Sequence, residues 1–252
     1  MQFVGYERAG APDETAALLV SDGDGVDRVE LAAGTELAYT LGERRCAGTV
    51  HDGEHLGCDA SDAPYCPDHT HTWVCARCTG TCLKDEMDCY DDHAVYLAAF
   101  APDVFKVGVT KAWRLDRRLR EQGADRGAHL RTVENGRIAR EYEASLTDRV
   151  PDRVRVPTKR AGLDSDVDEA AWSALLEEFD PLDTYRFSYG LGLTERPLAE
   201  TVATGTVVGT KGRLLVLQRG ATTYAVDLRD LVGHEASDGE SRRDRQSSLG
   251  AF

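Results

Sequence analysis

Cysteine is absent from almost all of this chain of 252 residues. Outside residues 46 to 89 there is none; inside that window lie all seven, Cys46, Cys58, Cys66, Cys75, Cys78, Cys82 and Cys89. Lysine is nearly as scarce. Only Lys84, Lys106, Lys111, Lys159 and Lys211 are present among 30 basic residues, against 44 Asp and Glu, for a net charge of −14. An acid-rich, lysine-poor surface fits a halophilic protein, kept soluble in high salt by hydrated carboxylates; an ordinary acidic cytosolic protein is the plainer alternative. No apolar run approaches the roughly 20 residues that a membrane span needs. The opening MQFVGYERAG lacks the basic and apolar regions of a signal peptide. These absences predict a cytoplasmic, reduced protein with no membrane partner and no disulfides. Clustered cysteines then mean metal or redox chemistry.

A chain of this length buries a substantial core, in two or three small modules. Residues 1–45 read as an N-terminal β segment, with short apolar runs at Ala16–Val20, Val29–Leu31 and Glu36–Tyr39 between turn formers such as Ser21–Gly25. Residues 46–92 carry too much Gly, Asp, Pro and Thr to fold by apolar burial, so metal would supply the missing free energy. Seven cysteines and His69 make eight ligands, enough for two tetrahedral zinc sites. Cys66-x2-His69 and Cys75-x2-Cys78 are two-ligand knuckles. Sequential pairing gives Cys46, Cys58, Cys66 and His69 one zinc and Cys75, Cys78, Cys82 and Cys89 the other. A cross-braced pairing stays open, as does substitution of His51, His55, His71 or His93 for His69, and iron–sulfur ligation by the last four cysteines. Two closed sites leave no open coordination position, which makes the zinc a support for the strand that follows.

The charge is unevenly spread. Residues 105–160 hold fifteen Lys and Arg against eight Asp and Glu, an excess of +7 in an otherwise acidic chain. Such a segment suits a phosphate-bearing partner. Within it, His93–Phe100 and Val104–Thr110 read as two strands joined by a turn at Ala101–Asp103. KAWRLDRRLREQGA reads as an amphipathic helix with Trp113, Leu115 and Leu119 apolar and Gly123 as its C-cap. A strand at His129–Val133 and a helix with Ile138, Tyr142 and Leu146 on one side follow. Lys111, Arg114, Arg117 and Arg120 are the candidate nucleic-acid contacts, and Pro157–Arg160 is placed to close a groove.

The run VYLAAF…FKVGVT…RLDRRL…EYEASL resembles the GIY-YIG endonuclease domain over roughly residues 93–160. Val95-Tyr96-Leu97 matches the first motif and Lys106-Val107-Gly108 the second, ten residues on from Tyr96. Arg118 matches the helical arginine relative to the flanking leucines, with Arg117 a competitor, and Glu143 matches the metal-binding glutamate. Lys106 departs from the usual tyrosine. The resemblance implies a small three-stranded sheet with flanking helices and a catalytic set of Tyr96, Lys106, Arg118 and Glu143. In such a set Glu143 would hold a catalytic Mg or Mn ion, Arg118 would clamp the phosphate, and Tyr96 with Lys106 would supply or support the base. The plainer readings are a strand aromatic for Tyr96, a solvated helix face for Arg117 and Arg118, and an ion pair with Arg140 for Glu143.

Residues 161–200 read as a helical connector containing a helix at Asp166–Phe179. Residues 201–234 read as a C-terminal β segment that could pair with the N-terminal strands, and 235–252 as a disordered tail. The glycines of Gly205–Gly212 serve β-turns rather than a phosphate loop. The whole arrangement also resembles an uncharacterised archaeal and bacterial family that carries only a domain-of-unknown-function label. The expectation is an α+β protein: a GIY-YIG-like sheet with flanking helices, preceded by a zinc-binding segment and framed by the two β units. Its expected function is nucleic-acid (DNA or RNA) processing at a metal-dependent phosphodiesterase site. The alternatives are a non-catalytic DNA- or RNA-binding module and a zinc-dependent interaction scaffold.

Overall fold

The computed structural model describes residues 1–23, 25–70 and 90–239. Strands β1 (Gln2–Glu7), β2 (Ala17–Ser21), β3 (Val26–Glu30) and β4 (Glu36–Arg44) open the chain, and a small hairpin follows, β5 (Thr49–His51) with β6 (Glu54–Leu56). Next come β7 (His93–Phe100), β8 (Val104–Lys111), α1 (Leu115–Gln122), β9 (Arg126–Val133) and α2 (Gly136–Leu146). The chain continues through α3 (Val156–Ala161), α4 (Glu169–Glu177), β10 (Asp183–Arg186) and β11 (Leu198–Ala199). It ends with β12 (Ala203–Lys211), β13 (Leu214–Arg219), β14 (Thr222–Asp227), α5 (Leu228–Leu231) and β15 (His234–Asp238). The protein is a sheet-rich α+β fold.

The two outer β segments, together with β11 from the expected connector and β15, form one nine-stranded sheet, in the order β11-β14-β13-β12-β4-β15-β1-β2-β3. The first half of the chain joins the second three times, where β4 pairs antiparallel with both β12 and β15 and β1 pairs with β15. Phe3 and Leu18 from one end share a core with Leu215, Leu217 and Val226 from the other, so the sheet curls over a common interior. The expected tail therefore begins four residues too early: Glu235–Asp238 complete β15, whose alternation leaves Ala236 buried. Residues 240–252 lie outside the described residues.

The second sheet has four strands, in the order β10-β9-β7-β8. β7 and β8 coincide with the expected pair to within a residue. The expected connector supplies the fourth strand, because β10 pairs with β9 from Asp183↔His129 to Arg186↔Arg126. The central strand β7 is buried on both sides, and its alternation sorts the unit into two layers. Val95, Leu97 and Ala99 face α2 and α4 through Ala139, Tyr142 and Trp172. Tyr96, Ala98 and Phe100 face α1 through Leu115 and Leu119.

Helix ends follow local chemistry. Asn135 caps α2, its side chain accepting from the Ile138 amide at 2.9 Å, and Asp168 caps α4 in the same way through Ala171. Gly123 ends α1 with φ of 71°, and the Ala124 amide closes back on the Leu119 carbonyl. That glycine also lets the two sheets meet: a Cβ there would stand 3.0 Å from the Lys211 backbone. One at Gly212 would stand 2.7 Å from that of Gln122. Beside this contact Lys211 Nζ reaches both Asp125 oxygens at 2.7 Å, and Asp125 also accepts from the Ala101 amide.

Candidate metal centre and cationic face

The Cys46–His69 segment holds itself in place with few apolar contacts. The Cys46 amide donates to Ala60 and the Ala47 amide to Pro64. The buried Gln2 side chain donates to the carbonyls of Cys46 and Gly233, which ties the segment to the nine-stranded sheet. The ligand atoms of Cys46, Cys58, Cys66 and His69 all lie within 4.8 Å of one another. His69 Nδ1 stands 3.5 Å from Cys46 Sγ and 3.2 Å from Cys66 Sγ. Ligands on a tetrahedral zinc, with Zn–S of about 2.3 Å and Zn–N of about 2.0 Å, stand roughly 3.5–3.8 Å apart. The four residues are therefore close enough to hold one metal ion.

Electrostatics point the same way. Burial would raise the Cys46 thiol, but hydrogen bonds from the Cys66 and Gly48 amides outweigh it and hold the thiol below its ordinary value. The Ala60 amide would lower Cys58, yet desolvation and its thiol neighbours raise it. Three thiols this close do not all ionise unless a cation shares their charge. The sequential pairing thus has its first set brought together, with His69 as the histidine. His55 turns instead to the Ala47 carbonyl at 2.9 Å, and His51 pairs with Asp52. The second set, Cys75, Cys78, Cys82 and Cys89, and the alternative His71 lie outside the described residues.

On the four-stranded sheet, Tyr96 is fully buried and lies directly across from Gly108. A Cβ on Gly108 would meet the tyrosine hydroxyl at 2.5 Å, so the glycine makes room for the ring. The Gln122 amide donates to Tyr96 Oη at 2.7 Å and to the Arg118 carbonyl at 3.1 Å. Lys106 pairs with Ala98 and so lies on the Tyr96 side. Tyr96, Lys106 and Arg118 are therefore brought to one face. Glu143 is not brought with them: it belongs to α2, which covers the opposite face, and its carboxylate meets Arg140 at 2.6 Å. The plainer reading of that residue describes its contact.

The four basic contacts expected on and before α1 are engaged within the protein. Lys111 pairs with Asp91 and Arg120 with Asp116, while Arg114 and Arg117 both reach Glu121, and Arg117 also meets Glu14. Glu121 is buried and has Arg8 and Arg118 around it as well. Four guanidinium groups thus share one carboxylate.

Beyond it lies a group that sequence spacing could not assemble. Lys159, from α3, donates to the Gln122 carbonyl at 2.8 Å and sits 4.0 Å above the Phe100 ring. Burial pushes its amine down to about 7, and the charges of Lys106, Arg118, Arg213 and Arg8 add to the effect. Arg8 follows β1 and Arg213 lies in the turn between β12 and β13, far apart in the chain, and no periodicity links them to Tyr96. Arg213 is balanced by Asp227 at 2.7 Å. Of this group the sequence signalled Lys106 and Arg118 through the motifs and Lys159 through the PTKR segment, but not Arg8 or Arg213.

No curated protein and no solved structure matches the chain. A family model does match it, over residues 37–189, which include the metal-ligand set, both motif strands, α1 to α4 and β10. The chain belongs to that family, described as Protein of unknown function (DUF2797).

Proposed function

We propose that this protein binds nucleic acid through its phosphates, on the face of the four-stranded sheet that carries α1. The observation that carries the reading is the gathering of cations around Lys159: Lys106, Arg118, Arg8 and Arg213 stand within electrostatic reach of an amine that lies 4.0 Å above the Phe100 ring. Glu121 and Asp227 are the carboxylates that balance them, two against five cations, so like charges repel there. A polyanion would relieve that repulsion, and guanidinium and ammonium groups are the usual phosphate ligands. The likeness of the motif strands and α1 to a GIY-YIG domain supports the same partner. The Cys46, Cys58, Cys66 and His69 set takes a zinc ion with a structural role, since four protein ligands close a tetrahedral site.

Strand cleavage is the second reading, favoured by the buried Tyr96 hydroxyl next to the cations. It would use Arg118 and Lys106 on the phosphate and Tyr96 for the water, with Glu143 holding Mg²⁺ or Mn²⁺. Binding without cleavage is preferred because Glu143 belongs to the opposite layer and is paired with Arg140.

Binding of labelled DNA and RNA strands across a salt series tests the first reading. The wild type is expected to lose affinity steeply with salt, and Lys106→Gln/Arg118→Gln to bind weakly with a shallower slope. Equal affinity in both proteins would overturn it. Metal-dependent cleavage that disappears in Glu143→Ala would establish the second reading.

A further inference from the structure

The cationic face continues into a cavity that shares only His69 with the metal-ligand set and does not include Tyr96. It has a volume of about 480 Å³ and lies between the metal-holding segment and the nine-stranded sheet. Tyr6, Arg8, Tyr65, His69 and Arg229 are among its walls, with Leu19 contributing apolar surface. Its size lies in the range of small-ligand sites. Both tyrosines are half-buried, and Tyr6 and Arg229 stand within electrostatic reach of the Tyr65 hydroxyl.

Two groups join this cavity to the phosphate-binding face. Arg8 lines it and also reaches Glu121, next to Arg118. Tyr6 lines it and hydrogen-bonds through its side chain to Arg213. An aromatic-walled cavity with guanidinium groups at its rim, opening beside a row of cations, has the chemistry of a single-strand site. The cations follow the backbone and the rings receive a base. His69 gives the cavity a second dependence, because the imidazole that completes the metal set also forms one of its walls.

We infer that this cavity takes one unpaired base of a bound nucleic-acid strand against Tyr65 and Tyr6, with the adjoining phosphate on Arg8. The inference rests on the nucleic-acid reading above and narrows it to strands with unpaired bases.

The test compares a homothymidine single strand, a strand of the same length made of abasic nucleotides, and inorganic polyphosphate. Each is titrated against wild type, Tyr65→Leu and Tyr65→Phe, with zinc content measured in every preparation. Wild type and Tyr65→Phe are expected to prefer the intact strand to the abasic one by about ten-fold, the scale of one stacked base. Tyr65→Leu is expected to lose that preference while binding polyphosphate as before. Equal binding of intact and abasic strands by the wild type, or a preference that survives Tyr65→Leu, overturns the inference alone. Failure of all three ligands to bind overturns the nucleic-acid reading with it. Photocrosslinking of a 4-thiothymidine strand to the wild type is a second measurement, independent of any variant's folding. Adducts at Tyr65 or Tyr6 are the expected result, and adducts confined to other residues overturn it.

Discussion

Gln122 donates to the Tyr96 hydroxyl at 2.7 Å, from the same residue whose carbonyl accepts from Lys159. One residue at the end of α1 thus links a buried strand tyrosine, through its side chain, to the cation on α3, through its main-chain carbonyl. The polar atoms of this face are coupled, and a change at one of them should be felt at the others.

Gly108→Ala should show that coupling. The added methyl would press on the Tyr96 hydroxyl, and overpacking of this kind costs about 1–3 kcal/mol. The expected result is a lower denaturant midpoint with an unchanged slope. Paired with Tyr96→Leu, the two losses should fall short of additive, since the smaller side chain frees the space the methyl needs. Additive losses would mean that Tyr96 moves aside without strain.

Cys46→Ser should remove a bound zinc ion. Its sulfur accepts from two backbone amides and lies within reach of His69 Nδ1; a serine hydroxyl could still accept from the amides but is a poor zinc ligand, so the ion is what the variant loses. Elemental analysis of the variant is expected to show one zinc fewer per chain than wild type, and a strong chelator should lower the melting temperature of the wild type. Unchanged zinc content in Cys46→Ser would move the ion elsewhere.

Lys159 should make both stability and binding depend on pH. Its amine loses its proton near pH 7 when folded and near 10.5 when unfolded, so between those values the unfolded chain binds more protons. Stability is therefore expected to rise as pH increases from about 7 toward 10.5, and Lys159→Met should flatten that rise. A bound phosphate favours the charged amine, so affinity for a nucleic-acid strand should fall as pH climbs above 7. Proton uptake on binding, read from the buffer dependence of the calorimetric heat, checks the same point.

Lys211→Met should be among the most damaging single changes. Lys211 is 8% exposed and its partner Asp125 16%, so the variant leaves a carboxylate nearly buried without its cation. The expected loss is about 3–5 kcal/mol in unfolding free energy. Adding Asp125→Asn should restore part of it by removing the stranded charge.

The parts that could be read from sequence are those whose cause is local. Gly123 ends α1 because only the next few residues decide a left-handed cap. The alternation of His93–Phe100 marks a strand wherever it packs. Cys66 and His69 are one turn apart, so their convergence needs nothing distant. Arg8, Lys159 and Arg213 meet because two sheets dock through Gly123 and Gly212, and spacing along the chain carries no record of that. Glu143 shows the converse. Its motif matches in register, but the face on which α2 lies is set by the packing of Ala139, Tyr142 and Leu146. β15 was hidden by composition, because HEASD looks like a tail until β4 is there to pair with it.

The position of β15 has a consequence for how the molecule is made. It lies between β4 and β1, yet it follows every other described element in the chain. During synthesis β1 emerges before β15, and it waits for the strand that joins it to β4 until the elements between them have been made. The metal-holding segment, anchored through Gln2 to Gly233, waits with it. Pairings this distant in sequence are slow to close. The four-stranded unit, with its mostly local pairings, should reach its native form before the nine-stranded sheet closes.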